Sequence, residues 1–110
     1  MAVNFTTPQG DTFTRTFVIK DSNNNPIDLT DYNFRSQLRD SQDGLVADII
    51  VTKIDINTVS IKLTANSTQS IPVGIYNYDV EMFTSSDELV VKIFNGTFEI
   101  TKEYTKWVIQ

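Results

Sequence analysis

Residues 74–83 read Gly-Ile-Tyr-Asn-Tyr-Asp-Val-Glu-Met-Phe. Tyr76, Tyr78, Val80 and Met82 occupy every second position, and Asn77, Asp79 and Glu81 fall between them. This is the two-residue period of a pleated strand with one buried face and one wet face. Two tyrosines, a valine and a methionine on one face need an apolar layer opposite, so the rest of the chain has to supply a second sheet.

The other segments repeat the pattern. Residues 2–8 read as an edge strand or arm, with Val3 and Phe5 on one side and Pro8 closing it, because proline cannot donate to a ladder. After Gly10-Asp11, residues 12–20 place Phe13, Phe17 and Ile19 on one face and are expected near the sandwich centre, with Arg15 near the strand's end or over an edge. In 33–40, Phe34, Ser36 and Leu38 alternate with polar residues. Asp43-Gly44 predicts a hairpin turn into a partner strand over 45–52, and Val59, Ile61 and Leu63 face inward on the next strand. Residues 64–70 suit a single helical turn capped by Asn66 or Ser67, and Gly74 is read as a sharp entry into the strand that follows. After a loop at 84–88, residues 89–94 form a return strand. Asn95-Gly96 is the strongest hairpin signal in the chain and leads to a last strand bearing Phe98 and Ile100. About eight strands, each followed by a turn signal within ~8–12 residues and with no amphipathic helix among them, predict an all-β sandwich of antiparallel sheets.

One hundred and ten residues are expected to make a single domain, 1–110. There is no cysteine and no histidine, which excludes a disulfide framework, a thiolate zinc site, a cysteine nucleophile and the commonest general base. The net charge is −5, with lysines and arginines scattered singly, so no phosphate-binding stripe exists and no nucleic-acid partner is expected. No secretory leader or apolar span of ~20 residues can be read, so no membrane partner is expected either. Asp21, Asn23 and Asn25 have the spacing of a calcium loop, but Pro26 and Tyr32 occupy the glycine and bidentate-acid positions, and the stretch reads as a plain turn. Asp79 and Glu81 project from one strand face about 7 Å apart, within the range of a glycosidase carboxylate pair. Solvated strand faces carry such pairs routinely, so no catalytic residue, cofactor or metal is assigned and the chain is not expected to be an enzyme.

The tail, 101–110, departs from the pattern: Tyr104, Trp107, Val108 and Ile109 crowd a stretch that is usually polar. They either complete a strand on the chain's own core or, as an interface tail over 103–110, meet another subunit.

In order along the chain, Gly10-Asp11-Thr12-Phe13, Pro26-Ile27-Asp28-Leu29-Thr30-Asp31-Tyr32, Arg35-Ser36-Gln37-Leu38-Arg39, the segment from Ile71 to Val80, and Gly96-Thr97-Phe98-Glu99-Ile100 with Thr105 resemble small tailed-phage virion proteins. The likeness is greatest to the immunoglobulin-like N-terminal domain of phage baseplate upper proteins. It spans residues 8–105, and the chain departs from those proteins in ending where they would continue into further domains. The resemblance implies an immunoglobulin-like β-sandwich in a tail, baseplate or neck. It implies a virion structural role, assembled in the host cytoplasm by contacts with other virion proteins and with copies of itself. The alternative is a module that recognises carbohydrate or a host surface through loops 21–26, 40–44 and 84–88.

Overall fold

The computed structural model describes residues 2–86 and 89–102. Its elements are β1 (Phe5–Pro8), β2 (Phe13–Val18), β3 (Tyr32–Arg39), β4 (Leu45–Asp48), β5 (Ile50–Asp55), β6 (Thr58–Leu63), α1 (Ala65–Ser70), β7 (Gly74–Thr84) and β8 (Val90–Thr101). One sheet has the order β1-β8-β7-β3-β4 and the other β2-β6-β5. The chain is therefore an all-β sandwich of eight strands. Strands two, six and five facing three, seven and eight is the connectivity of the immunoglobulin fold, with the first strand moved onto the larger sheet and β4 added at its far edge.

A second mark of that fold stands at the start of β7. The Tyr76 hydroxyl donates to the Pro72 carbonyl at 2.6 Å, a tyrosine corner that pins the link from α1 into the strand. Two residues on, where antibody domains carry the second cysteine of their disulfide, this chain has Tyr78. Its ring packs on Phe5, Phe94 and Phe98, so an aromatic cluster occupies the place of the cross-link. Phe13 and Phe98, 4.6 Å apart at 69°, carry the cluster across the layers. A smaller cluster of Ile19, Leu29, Val59 and Met82 closes the other end.

The alternation that predicts β7 holds: Tyr76, Tyr78, Val80 and Met82 are buried, as are Val59, Ile61 and Leu63 on β6. Several expectations need correction. β2 is an edge strand of the smaller sheet, not a central one. Arg15 therefore reaches out past it, its guanidinium 4.8 Å from the centre of the Phe13 ring. Residues 45–52 do not form one strand: β4 and β5 lie in different sheets, and buried Ile49 is the crossing point. A run apolar on both sides suits a chain passing between two layers, since each face meets the core in turn. The helical turn is capped by Thr64, whose side chain accepts from the Ser67 amide, rather than by Asn66 or Ser67. In the 40–44 turn the positive φ of 65° belongs to Asp43, while the Asp40 carboxylate accepts from the Gln42 and Gly44 amides. Gly74 has no positive φ, so the corner tyrosine rather than glycine freedom sets the entry into β7.

The largest correction concerns Asn95-Gly96. No turn forms there, and β8 runs unbroken through both residues. Val3 donates to the Asn95 carbonyl at 2.8 Å and the Asn4 side chain accepts from the Thr97 amide at 3.0 Å, so the N-terminal arm lies directly along this stretch. β1 then pairs with β8 in parallel, not antiparallel, from Phe5 opposite Phe98. The glycine serves close backbone approach, a second role of glycine in strands.

Tyr78 links this arm to the core, its hydroxyl donating to the Val3 carbonyl at 2.5 Å. Burial pushes its pKa well above the ordinary tyrosine value. Burial also raises the pKa of Tyr76, with the Asp40 carboxylate adding to it. A phenol raised in the folded state leaves stability intact below about pH 10. As pH rises further the unfolded chain gives up that proton first, so stability falls. The expected result is a urea midpoint that drops above pH 10 with a slope of at most about 1.4 kcal/mol per pH unit for each such tyrosine. Tyr78→Phe should flatten that drop relative to its own value at pH 8.

Candidate functional site

The outer face of β3, β7 and β8 carries the densest set of polar side chains. Residues 77, 79 and 81 of β7 point away from the core, between the buried tyrosines and valine. Pairing of Arg35 with Glu81 and of Gln37 with Asp79 across β3 and β7 brings cations and acids from distant parts of the chain into register. Glu81 receives a hydrogen bond from Arg35 Nε at 2.7 Å, and the Arg35 guanidinium stacks 4.4 Å from the Phe83 ring centre. Asp79 lies 3.4 Å from Lys92 Nζ. Arg39 donates to Gln37 Oε1 and to the Asp43 carbonyl. Each carboxylate of the Asp79 and Glu81 pair thus has its own cation, an arrangement that fixes a surface.

Beside these pairs is a shallow depression of about 630 Å³, its lining including Asn4, Gln37, Asn77, Asp79, Lys92 and Asn95. Amides and charges of both signs dominate it. The one aromatic residue in its lining, Tyr78, has its hydroxyl committed to the Val3 carbonyl.

The candidate loops do not all come together. Since Tyr32 of β3 pairs with Thr84 and Arg39 with Asn77, the chain leaving Thr84 lies at the start of β3 and the 40–44 turn at its end. Eight residues of strand at ~3.3 Å each separate them by about 25 Å. Loop 21–26 is closed by the Asp21 carboxylate, which accepts from the Asn23 and Asn25 amides at 2.9 and 3.0 Å. Among the described residues no group of three metal-ligating side chains converges. Tyr104, Trp107, Val108 and Ile109 lie outside the described residues.

A feature that residue spacing did not single out is an open sheet edge. The N-terminal arm covers β8 from Asn95 onward, through Val3, Asn4 and β1. Among the described residues no strand pairs with residues 90–94 on the side away from β7. Leu89, Val90 and Val91, three consecutive apolar residues, are 43%, 43% and 39% exposed there. The sequence signal was that run itself, since consecutive exposed apolar residues have no place on a fully wet strand.

No protein-family profile and no curated protein matches the chain. Solved structures share its fold. A family 123 glycoside hydrolase from Clostridium perfringens, studied for glycolipid glycan hydrolysis, aligns over 93% of this chain and 23% of its own length, at 13% identity and a TM-score of 0.58. Listeria monocytogenes InlP aligns over 91% of this chain and 26% of its own, at 17% identity and a TM-score of 0.52. The chain thus spans about a quarter of each of those proteins, and at these identities the likeness is one of fold.

Proposed function

We propose that this chain is a non-enzymatic assembly module of a tailed-phage particle, joined to copies of itself and to other virion proteins through sheet edges and the apolar residues of its tail. The observation that carries the reading is the edge of β8 at residues 90–94, which no strand covers among the described residues and where Leu89, Val90 and Val91 are exposed. Unpaired strand edges are sites at which another chain adds to a sheet, and natural domains normally blunt them unless they are used. The resemblance of the ordered motifs to those of phage virion domains supports the kind of assembly that uses it. The charged outer face supports the same reading: its acids and cations neutralise one another, which fits a packed surface better than a reacting one.

Deleting residues 103–110 is expected to leave a folded domain by circular dichroism while lowering the mass measured by light scattering. An unchanged mass would remove the tail from the interface. Detection of the protein in purified phage particles by mass spectrometry tests the particle assignment itself.

The depression beside Asp79 and Lys92 favours a second reading, recognition of carbohydrate, because amides and charges can bond sugar hydroxyls. A glycan array separates the two: robust binding by the isolated chain supports carbohydrate recognition, and silence supports assembly.

A further inference from the structure

We propose that the open stretch of β8 pairs with the same stretch of a second copy, antiparallel, about a two-fold axis through Val91, joining two five-stranded sheets into one. The inference rests on the assembly reading and names the partner of that edge. Three observations carry it.

The first is the boundary of the opening. Arm and β1 hydrogen bonds reach back along β8 only to Asn95, so among the described residues the strand before it has no partner on its free side. A partner strand would meet no obstruction from the described part of this chain.

The second is the symmetry of the sequence about Val91. Val91 lies opposite buried Met82 and so faces the core side, whereas Lys92 lies opposite Glu81 on the outer side. Ile93, the additional residue of a bulge between Lys92 and Phe94, packs on the core. With the axis at Val91, the core-side row pairs Leu89 with Ile93, Val91 with Val91 and Ile93 with Leu89. Apolar cross-strand pairs of this kind each stabilise an antiparallel ladder.

The third is charge. An axis at Lys92 would set two ammonium groups directly opposite, which destabilises a pair. The axis at Val91 instead sets each Lys92 against Val90 of the other copy, where its aliphatic stem has an apolar surface to cover. Each ammonium keeps its own Asp79 carboxylate, 3.4 Å away. The lysine thus opposes the register centred on itself and is accommodated in the one centred on Val91, the role edge lysines play in controlling association.

Five residues from each copy bury less than the roughly 1,200 Å² of a stable interface, so the isolated pair should be weak and should gain from other contacts that hold copies together.

The test uses the whole 110-residue chain, which has no cysteine, so a single introduced thiol reports one position. Two Val91 residues at the axis would have Cα atoms ~4.5–5.5 Å apart, inside disulfide range. Two Leu89 or two Ile93 residues would be about 13 Å apart, outside it. Under diamide, Val91→Cys is expected to form a covalent dimer at least about tenfold faster than Leu89→Cys or Ile93→Cys alone. A mixture of the Leu89→Cys and Ile93→Cys proteins should form the mixed dimer. These positions are exposed or at the strand edge, and melting curves will show that the variants fold. In the cysteine-free chain, Val91→Lys should abolish the rise of sedimentation mass with concentration. Cross-linking of Val91→Cys no faster than that of Leu89→Cys would overturn the pairing. If that happened while deletion of 103–110 still lowered the mass, assembly would stand and this register would fall. A fast Val91→Cys dimer from a protein missing in particles would uphold the pairing against the phage assignment.

Discussion

Replacing Phe98 by alanine is expected to lower the stability of the domain by about 3–5 kcal/mol, the range for truncating a buried phenylalanine. Phe98 has no exposed surface and sits where three strands meet, opposite Tyr76 of β7 and Phe5 of β1. Its ring makes an edge contact with Phe13 of the other sheet at 4.6 Å and stands perpendicular to Tyr78 at 6.2 Å. Truncation therefore opens a cavity between the sheets and removes aromatic contacts on both of them. The surrounding rings are held by strands on either side, so the void cannot collapse easily. A domain of this size has a total stability of roughly 5–15 kcal/mol, so the variant should unfold at far lower urea. A midpoint shift with unchanged slope is the expected signature, since the surface exposed on unfolding is nearly the same. Phe83→Ala is the control. Phe83 lies on the outer face against the Arg35 guanidinium, and its loss should cost about 1 kcal/mol or less. A Phe98→Ala protein as stable as Phe83→Ala would mean that the two sheets do not pack through this ring.

What could be read from the sequence follows the range of the physics involved. Period-two alternation and turn chemistry are local, and they located the buried faces of β6 and β7 and the turns at Asp21 and Asp40. They did not say which sheet a strand joins, because that depends on partners far along the chain. Hence residues 45–52 read as one strand although Ile49 passes between layers, and β2 read as central although it lies at an edge. Asp79 and Glu81 were legible as an outer acidic row. Their cations, Arg35 and Lys92, were not, since only the register of β3 and β8 against β7 brings them within reach. The open edge was half legible: the apolar run at Leu89 was visible, but its exposure depends on where the N-terminal arm stops. Asn95-Gly96 is the sharpest case. The dipeptide has the local chemistry of a hairpin, and the arm alongside it overrides that chemistry.

That override can be measured with a single methyl group. Gly96→Ala places a Cβ 2.2 Å from the Val3 carbonyl oxygen and 2.8 Å from Asn4 Oδ1. The nearest obstacle is backbone, so no side-chain rotation relieves it and residues 3–4 must lift away from β8. Lifting them breaks the Val3 to Asn95 hydrogen bond, the Asn4 contact to the Thr97 amide and the Tyr78 hydroxyl bond to Val3. Three hydrogen bonds at about 0.5–1.5 kcal/mol each amount to about 1.5–4.5 kcal/mol. Loosened packing of the adjacent Phe5 against Phe13 and Phe98 adds to this. Intrinsic preference has the opposite sign, since alanine in a strand interior is favoured over glycine by about 0.5–1 kcal/mol. The direction of the change therefore decides between a glycine kept for turn-like freedom and one kept for close approach. Denaturation midpoints are expected to fall in Gly96→Ala, with hydrogen exchange at the Val3 and Thr97 amides accelerating before the rest of the sheet. Freed of the arm, the open edge of β8 would lengthen past Asn95 to Thr97, so the less stable protein should also be the one that associates more readily. A Gly96→Ala domain equal to or more stable than the parent, with slow exchange at Thr97, would show that the arm does not lie against this strand.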